Sequence, residues 1–235
     1  MFMNRSLIAV LLLGLGWCSA CRTVYSPNTV HNPLLQEKGE FKGMIAPNNL
    51  QAAYAITDHI GVMANGYYNS FTSDDKDFHN KGKALELGVG YFNKSPNNIV
   101  YEVYAGAGRF NVAMDEASGT KNFNADATKL FVQPGIGWVN PYVEVGLAPR
   151  FSMISYDSPE ISGYTAQEQD SYYFGTLATK SHLFLEPAVT VRGGYKWIKL
   201  QLQYGRAFKL SKNQLNYDDS IGSVGLVFNI GNWYK

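Results

Sequence analysis

The sequence lacks the features that mark most other classes of protein. It has two cysteines among 235 residues, both within the first 21 positions, so the body of the chain has no disulfide and no thiolate chemistry. No apolar run reaches about 18 residues, which excludes a bundle of membrane-spanning helices. The formal net charge of +1 argues against a nucleic-acid partner. Its four histidines are scattered without metal-site spacing, and we therefore predict no metal and no cofactor.

Residues 1–20 have the organisation of a signal peptide. A short positive region precedes an apolar core, Leu7 to Trp17, which is too short to span a bilayer, and Ser19-Ala20 supply small residues. Cys21 follows them. This ending resembles the lipobox of bacterial lipoproteins, with Cys18 standing where leucine is usual. The resemblance implies cleavage before Cys21 and acylation of its thiol, with palmitate as the test label. The alternative is an ordinary secretory leader cleaved near Ala20.

The segment that follows the leader has no sustained hydrophobic period. Residues 22–37 contain two prolines and several polar side chains, a composition typical of a loop or linker. We therefore predict a lipidated periplasmic tether over residues 21–37, with His31 in solvent.

From residue 38 onwards, apolar residues alternate with polar or small ones. Residues 198–204 show the pattern clearly, because isoleucine, leucine and tyrosine occupy the even positions while lysine and glutamine occupy the odd ones. A period of two predicts β-strands. Strands of about ten residues with charges on one face favour a transmembrane barrel, in which apolar residues face lipid and polar residues face the lumen.

Ten such segments can be counted, and the links between them support the count. Long links at 70–81, 111–125, 157–180 and 209–218 alternate with short ones at 94–97, 140–141 and 195–197. Short periplasmic turns and long extracellular loops are typical of these barrels. We therefore predict an all-β, antiparallel up-and-down transmembrane β-barrel over residues 38–235, with ten strands, eight as the alternative, and both termini periplasmic. Pro134, Pro149 and Pro187 fall inside strands and predict local bulges.

The signal peptide, the alternation of apolar and polar residues, and the alternation of long and short links resemble those of the small outer-membrane β-barrel proteins of Gram-negative bacteria, such as the barrel of outer membrane protein A and its relatives. The resemblance covers residues 38–234 and rests on pattern rather than on a motif. It implies a bacterial outer-membrane location, with membrane lipid as the surroundings and a monomer as the expected state. It says far less about activity.

The inward parity carries four acids and four bases. We expect Glu102, Glu144, Arg192 and Lys199 in the periplasmic half, and Glu86, Lys129, Arg150 and Glu186 nearer the middle and outer half. Unpaired charges in a narrow lumen are costly, whereas paired ones are tolerated. The pattern therefore favours a lumen closed by inward salt bridges, with a narrow small-solute channel as the alternative.

The long link at 157–180 is the predicted contact surface for an extracellular partner. Its candidate contacts are Tyr164, Tyr172, Tyr173 and Phe174, with a membrane-boundary aromatic belt as the alternative. The predicted function is a non-enzymatic outer-membrane lipoprotein with a structural or surface-interaction role.

An outer-membrane barrel enzyme is the further alternative. A protease would use Asp77 and His79 with Asp157 or Asp170. A lipid-modifying enzyme would use His79 or His182 with Ser181.

Overall fold

Ten antiparallel strands close into a barrel in the computed structural model, which describes residues 23–72 and 78–232. Each strand pairs with the next around the barrel, and the last pairs with the first, with Phe41 opposite Ile230. Closure leaves no open edge of the sheet, which hydrocarbon surroundings would penalise. The strands are β1 (Phe41–Ala46), β2 (Asn49–Ala55), β3 (Ile60–Thr72), β4 (Phe78–Lys94), β5 (Ile99–Glu116), β6 (Asn122–Val139), β7 (Val143–Tyr156), β8 (Glu160–Ser162), β9 (His182–Tyr195), β10 (Ile198–Arg206), β11 (Phe208–Lys209) and β12 (Ser220–Ile230).

Two of these strands are short additions to the barrel wall. β8 pairs with β6 beyond the end of β7, and β11 pairs with β9 beyond the end of β10. The wall therefore has ten strands, which confirms the predicted fold and excludes the eight-stranded alternative. A helix α1 (Ala166–Ser171) and a 3-10 helix (Phe174–Thr179) lie between β8 and β9. Among the described residues, no helix combines the length and apolar composition needed to cross a bilayer.

The outer surface of the wall is apolar, and its interior is polar. Leu87, Val132 and Leu226 are 57%, 49% and 46% exposed, although they are large apolar residues in the middle of strands. Side chains of this kind favour contact with lipid. Aromatic residues ring one end of the barrel, the arrangement found where a membrane protein meets the lipid–water boundary. They are Tyr91, Tyr101, Trp138, Tyr142, Tyr195 and Trp197.

The two mouths of the barrel differ in the length of their links. One mouth, which we call the short-link mouth, carries the links at 56–59, 95–98, 140–142 and 196–197. The opposite, long-link mouth carries the links at 157–181 and 207–219, together with the β1–β2 turn at 47–48. The wall is also uneven in height. β5 and β6 have 18 residues each, while β1 has 6 and β2 has 7.

The tall side of the wall corrects two predicted loops. Residues 70–81 and 111–125 were expected to be long links, but most of them continue strands β3 to β6. Above the apolar band the outward residues of β5 and β6 are mostly polar, whereas the inward residues, such as Val112, Met114 and Phe123, are apolar and buried. The hydrophobic parity is therefore inverted while the backbone pairing continues. A rule that places apolar residues on the outer face consequently underestimates the length of the strands at this mouth.

The three strand prolines form a row rather than a set of bulges. In the β6–β7 register, Val132 pairs with Phe151 and Ile136 with Leu147, which places Pro134 opposite Pro149. Pro149 pairs in turn with Pro187. Both strands advance by four residues across the interrupted part of the ladder, so neither contains an extra residue. The predicted bulge is wrong for this pair of strands, because two facing residues without N–H groups interrupt the hydrogen bonds without shifting the register.

Residues 23–37 thread the lumen and are called the plug below. Val24 N donates to the Asn216 carbonyl at 3.0 Å, at the long-link mouth. At the other end of the plug, Lys38 N donates to Asp58 Oδ1 at 3.0 Å, and Gly39, with φ at +81°, turns the chain into β1. Tyr25, Val30 and Leu35 are all buried. The prediction of a solvated tether is therefore wrong, because these apolar side chains are enclosed by the barrel.

The two ends of the described chain lie at opposite mouths of the barrel. Thr23, the first described residue, lies at the long-link mouth, where its hydroxyl donates to Asp218. Ile230, close to the last described residue, pairs with Phe41 at the short-link mouth. The prediction that both termini are periplasmic concerns residues beyond these two ends. The predicted signal peptide and Cys21 lie outside the described residues.

Candidate functional site: the plugged lumen

The barrel wall binds the plug by its main chain. Every carbonyl from Asn28 to Leu34 accepts a hydrogen bond from a wall side chain. Uncharged amides serve the carbonyls of residues 29, 30 and 31. Basic side chains serve those of residues 28, 32, 33 and 34. In chain order the donors are Arg150 (2.8 Å), Asn65 (2.9 Å), Gln203 (2.8 Å), Gln133 (2.6 Å), Arg192 (2.5 and 3.4 Å) and Lys42 (2.8 Å).

This set of donors explains how an irregular segment can be buried. A buried carbonyl without a partner costs free energy, and secondary structure normally supplies that partner. Most of the plug forms no helix or strand; its only bridge pairs Tyr25 with Tyr217. The inward amides of the wall take the place of a neighbouring strand. The lumen is therefore built to hold an extended polypeptide.

An ion cluster surrounds the plug near the short-link mouth. Glu144 lies at its centre, with Oε1 2.6 Å from Lys199 Nζ, and Oε2 2.8 Å from Arg192 Nη1 and 3.3 Å from Lys42 Nζ. All four side chains are almost fully buried. A single carboxylate that pairs with three cations is a strongly coupled arrangement, because removal of the acid takes one carboxylate partner from three buried charges at once.

A second ion cluster lies nearer the long-link mouth. Glu186 pairs with Arg150 at 2.6 Å and with Lys129 at 3.3 Å, and Glu86 pairs with the same two cations at 3.2 Å. Tyr25 of the plug joins this cluster, since its hydroxyl donates to Glu186 and accepts from Lys129 Nζ at 2.9 Å. The plug is thus connected to the wall through a side chain as well as through its carbonyls.

Glycines in the wall make sockets for plug side chains. A Cβ on Gly146 would lie 2.5 Å from Asn32 Nδ2, and one on Gly137 would lie 2.5 Å from a methyl group of Leu34. Real Cβ atoms are not found at such distances. At these two positions the absence of a side chain on the wall makes room for the plug, which fixes its register in the lumen.

The structure places all eight predicted interior charges in the lumen, and it sorts them as the strand directions suggest. Glu86, Lys129, Arg150 and Glu186 form one cluster; Glu144, Arg192 and Lys199 belong to the other. Glu102 lies outside both sets of ion pairs and accepts instead from the N–H of Leu34 at 2.9 Å. Sequence reasoning missed Lys42 and Tyr25. Lys42 could have been found, since it shares the inward parity of the short strand β1.

Comparison with known proteins yields a similar structure but no family. No protein-family model matches the sequence, and the curated proteins compared with it gave no match. Among solved structures, the chain is similar to the translocator domain of autotransporter NalP from Neisseria meningitidis. The TM-score is 0.47 at 10% sequence identity, covering 80% of this chain and 85% of that one. The fold is assigned here from the strand pairing of the chain itself.

The predicted surface aromatics form part of a cap over the long-link mouth. Phe174 is buried and stacks on Phe123 at a centroid distance of 4.4 Å. Tyr164 and Tyr172 pack against the same core, and Tyr173 is half-buried. Because the ring of Phe174 is enclosed, the prediction that it contacts a partner is wrong. The same burial excludes Phe174 from an aromatic belt at the membrane boundary. The cap also covers Val24 and Tyr25, the first apolar residues of the plug.

The side chains proposed for an enzyme do not meet in the described part of the chain. His182 points into the barrel and contacts Asn213 at 3.0 Å, whereas Ser181 is exposed and bonds Ser155 at 2.8 Å. His79 bonds the Thr72 hydroxyl at 2.9 Å, and Asp157 pairs with Arg109 on the surface. Asp77 lies outside the described residues. Within residues 23–72 and 78–232, no group of three or more histidines, cysteines and acids could hold a metal ion.

Proposed function

We propose that the protein is a closed outer-membrane barrel lipoprotein that holds its own N-terminal segment across the lumen and has a surface-interaction role. The observation that carries this proposal is the plug. It fills the lumen with a main chain whose carbonyls are bound from Asn28 to Leu34, between two buried ion clusters. Small barrels leave little space for water even before a plug is added.

The orientation of the plug changes where a lipid anchor would lie. Short links are typically periplasmic and long links extracellular in barrels of this class. Under that rule, Thr23 leaves the lumen on the outer side of the membrane. A lipid on Cys21, two residues earlier in the chain, would then anchor the protein at the cell surface rather than in the inner leaflet. The aromatic cap and the tall polar wall of β3 to β6 would face the same side.

Single-channel recording in planar bilayers tests the closed lumen. We expect the full-length protein to give no conductance above background, and a variant that lacks residues 24–36 to conduct. Faster migration of unboiled protein on a denaturing gel shows whether the deletion variant is folded. If that variant does not fold, Gln133→Leu combined with Gln203→Leu removes two plug donors without shortening the chain and should cause intermittent opening. Steady conductance in the wild type would instead support the narrow channel.

Metabolic labelling with a palmitate analogue tests the anchor separately. We expect label on the wild type and none on Cys21→Ala, with both proteins showing the same gel mobility when unboiled. Equal labelling of the two proteins would remove the lipoprotein part of the proposal and leave the closed barrel intact. We propose no catalytic role, since the two histidines considered for one, His182 and His79, contact the amide of Asn213 and the hydroxyl of Thr72 respectively.

A further inference from the structure

The low side of the wall leaves a notch at the long-link mouth. Pairing of β12 with β1 ends at Ile45 opposite Leu226, so residues 220–225 of β12 have no paired residue of β1. On the other side of the hairpin, Tyr68 N donates to the Asn48 carbonyl, and β3 then continues to Thr72 without β2 beside it. The hairpin tip forms the floor of the notch, and residues 26–29 of the plug form its back.

A cavity of about 350 Å³ occupies this notch, and no charged side chain lines it. The volume lies within the range of small-molecule sites. Its polar lining consists of hydroxyl and amide groups: Ser26, Thr29, Asn48, Asn49, Ser220 and Ser223. This composition differs from the deeper lumen, where two clusters of ion pairs accompany the inward amides.

Two polar atoms of the lining have no partner in the described part of the chain. Asn49 is 7% exposed, and its Nδ2 donates to Asn28 Oδ1 at 2.7 Å and to Asn65 Oδ1 at 2.9 Å, while its Oδ1 accepts no hydrogen bond. The buried hydroxyl of Ser223 also has no partner. Both atoms belong to residues that line the cavity but are themselves covered. Buried polar groups are normally hydrogen-bonded, so an acceptor and a hydroxyl without a described partner beneath one cavity favour a ligand that can both donate and accept.

The lining selects the chemistry of that ligand. A phosphate or carboxylate group would need a cationic partner, and the cavity offers none. A purely apolar ligand would leave the amide and hydroxyl atoms unpaired, which costs free energy. A neutral polyhydroxylated molecule meets both requirements. The ring of Tyr67, which also lines the cavity, provides an apolar face for the C–H side of a sugar ring.

We propose that this notch is a carbohydrate-binding site. The position of the notch indicates where the bound sugar could come from. Ile45 and Leu50, directly below the notch on the outer surface, are 57% and 59% exposed and belong to the lipid-facing band. The notch opens sideways just above that band, at the level of lipid headgroups. The sugar part of a membrane glycolipid and a free oligosaccharide therefore share the required chemistry. The placement of the notch at the outer leaflet rests on the proposed orientation of the barrel. The proposal that the notch binds a sugar does not depend on that orientation.

Isothermal titration calorimetry on the full-length protein tests the site. The protein is kept in a phosphocholine detergent, because a maltoside detergent would itself present a sugar. Glucose, N-acetylglucosamine and maltose are the free probes, and lipopolysaccharide in detergent micelles is the lipid-linked probe. We expect saturable binding of at least one probe, with lipopolysaccharide binding more tightly if the source is a glycolipid and less tightly if it is a free sugar.

Ser223→Leu fills the cavity and should weaken binding at least tenfold. The matched control is Ser152→Ala, which removes another buried hydroxyl without a described partner at a site away from the notch. It should leave binding unchanged. Absence of saturable binding of every probe, or equal affinity of the wild type and Ser223→Leu, would overturn the proposal. Neither result affects the proposal that the plug closes the lumen, because that proposal is tested by conductance.

Discussion

Arg192 joins the barrel wall to the plug: its Nη1 atom lies 2.8 Å from Glu144 Oε2, while its Nη2 atom donates to the Asn32 carbonyl at 2.5 Å. Its Nε also donates to Gln201 on the neighbouring strand at 2.8 Å. One guanidinium therefore connects the wall, the ion cluster and the plug. Planar, multiply donating groups of this kind are suited to buried ion pairs, and the stability of the plug should depend on the acid that compensates Arg192.

Replacement of Glu144 by glutamine should strongly destabilise the folded barrel. The substitution removes one carboxylate partner from Lys42, Arg192 and Lys199 at once, although Lys42 keeps Glu40 at 3.5 Å. Loss of one partner of a buried ion pair costs about 3–5 kcal/mol. We expect a clearly lower urea concentration at the midpoint of unfolding. Unfolding is monitored by the gel mobility of unboiled samples. Glu160→Gln is the control, because Glu160 is exposed on β8. Equal midpoints for the two variants would show that Glu144 does not hold the cluster together.

A pair of substitutions tests the glycine sockets. Gly146→Ala places a methyl group 2.5 Å from Asn32 Nδ2, so the plug must shift and conductance should appear in planar bilayers. Asn32→Ala in the same chain removes the clashing amide and should restore closure. Gly193→Ala meets no atom within 4 Å and is the matched control. If the double variant conducts as much as Gly146→Ala alone, Asn32 is not the group that occupies the socket.

Chemical labelling of intact cells tests the orientation of the barrel. Single cysteines at exposed positions, Ser118→Cys near the long-link mouth and Asn97→Cys at the short-link mouth, report on opposite sides. We expect a membrane-impermeant maleimide to label the first on intact cells and the second only after the outer membrane is opened. The reverse pattern would place Thr23 on the periplasmic side and remove the surface anchor.

Glu168 in the cap should titrate at low pH. Its Oε1 lies 2.7 Å from Lys121 Nζ and its Oε2 accepts from Thr165 N at 2.9 Å, and these bonds lower the pKa of the Glu168 carboxyl to about 2. Since the folded pKa is lower than the ordinary value of about 4.3, the bonds stabilise α1 fully above that value, and the contribution is lost as the pH falls toward 2.

A carboxyl titration followed by carbon NMR measures this pKa directly. The midpoint should rise toward 4 in Lys121→Met, because the strongest partner of the carboxylate is removed. Thr165→Ala should raise it less, since its backbone N–H remains and only the hydroxyl contacts are lost. A wild-type midpoint near 4 would show that the capping arrangement does not persist in solution.

Much of the barrel could be predicted from the sequence, because lipid on one side and a polar lumen on the other impose a period of two on every strand. The same parity identified the inward acids and bases, such as Glu186 and Arg150. It failed above the apolar band, where β5 continues to Glu116 with the parity inverted, since Val112 and Met114 are apolar and buried on the inward face. A rule that expects apolar residues on the outer face ends the strand too early there.

The plug could not be predicted by the same reasoning, because its conformation is imposed by side chains far away in sequence. Gln133 binds the carbonyl of His31 across a separation of 102 residues, and Arg192 binds that of Asn32 across 160. Two signals were nevertheless present. Leu34 and Leu35 are too apolar for a solvated tether, and the inward parity contains uncharged amides, such as Gln203, that the predicted salt bridges left without a role.

The position of the plug ahead of every strand sets a constraint on how the barrel folds. The contact that completes the wall joins β1 to β12, with Phe41 and Ile230 separated by almost the whole barrel sequence. Contacts so distant along the chain form slowly. Threading an irregular segment into a finished barrel would require its bare carbonyls to pass through the narrow lumen, so closure must enclose a plug that is already in place. Strands β2 to β10 would then gather around the N-terminal segment, which acts as the template for the interior before the last pair of strands forms.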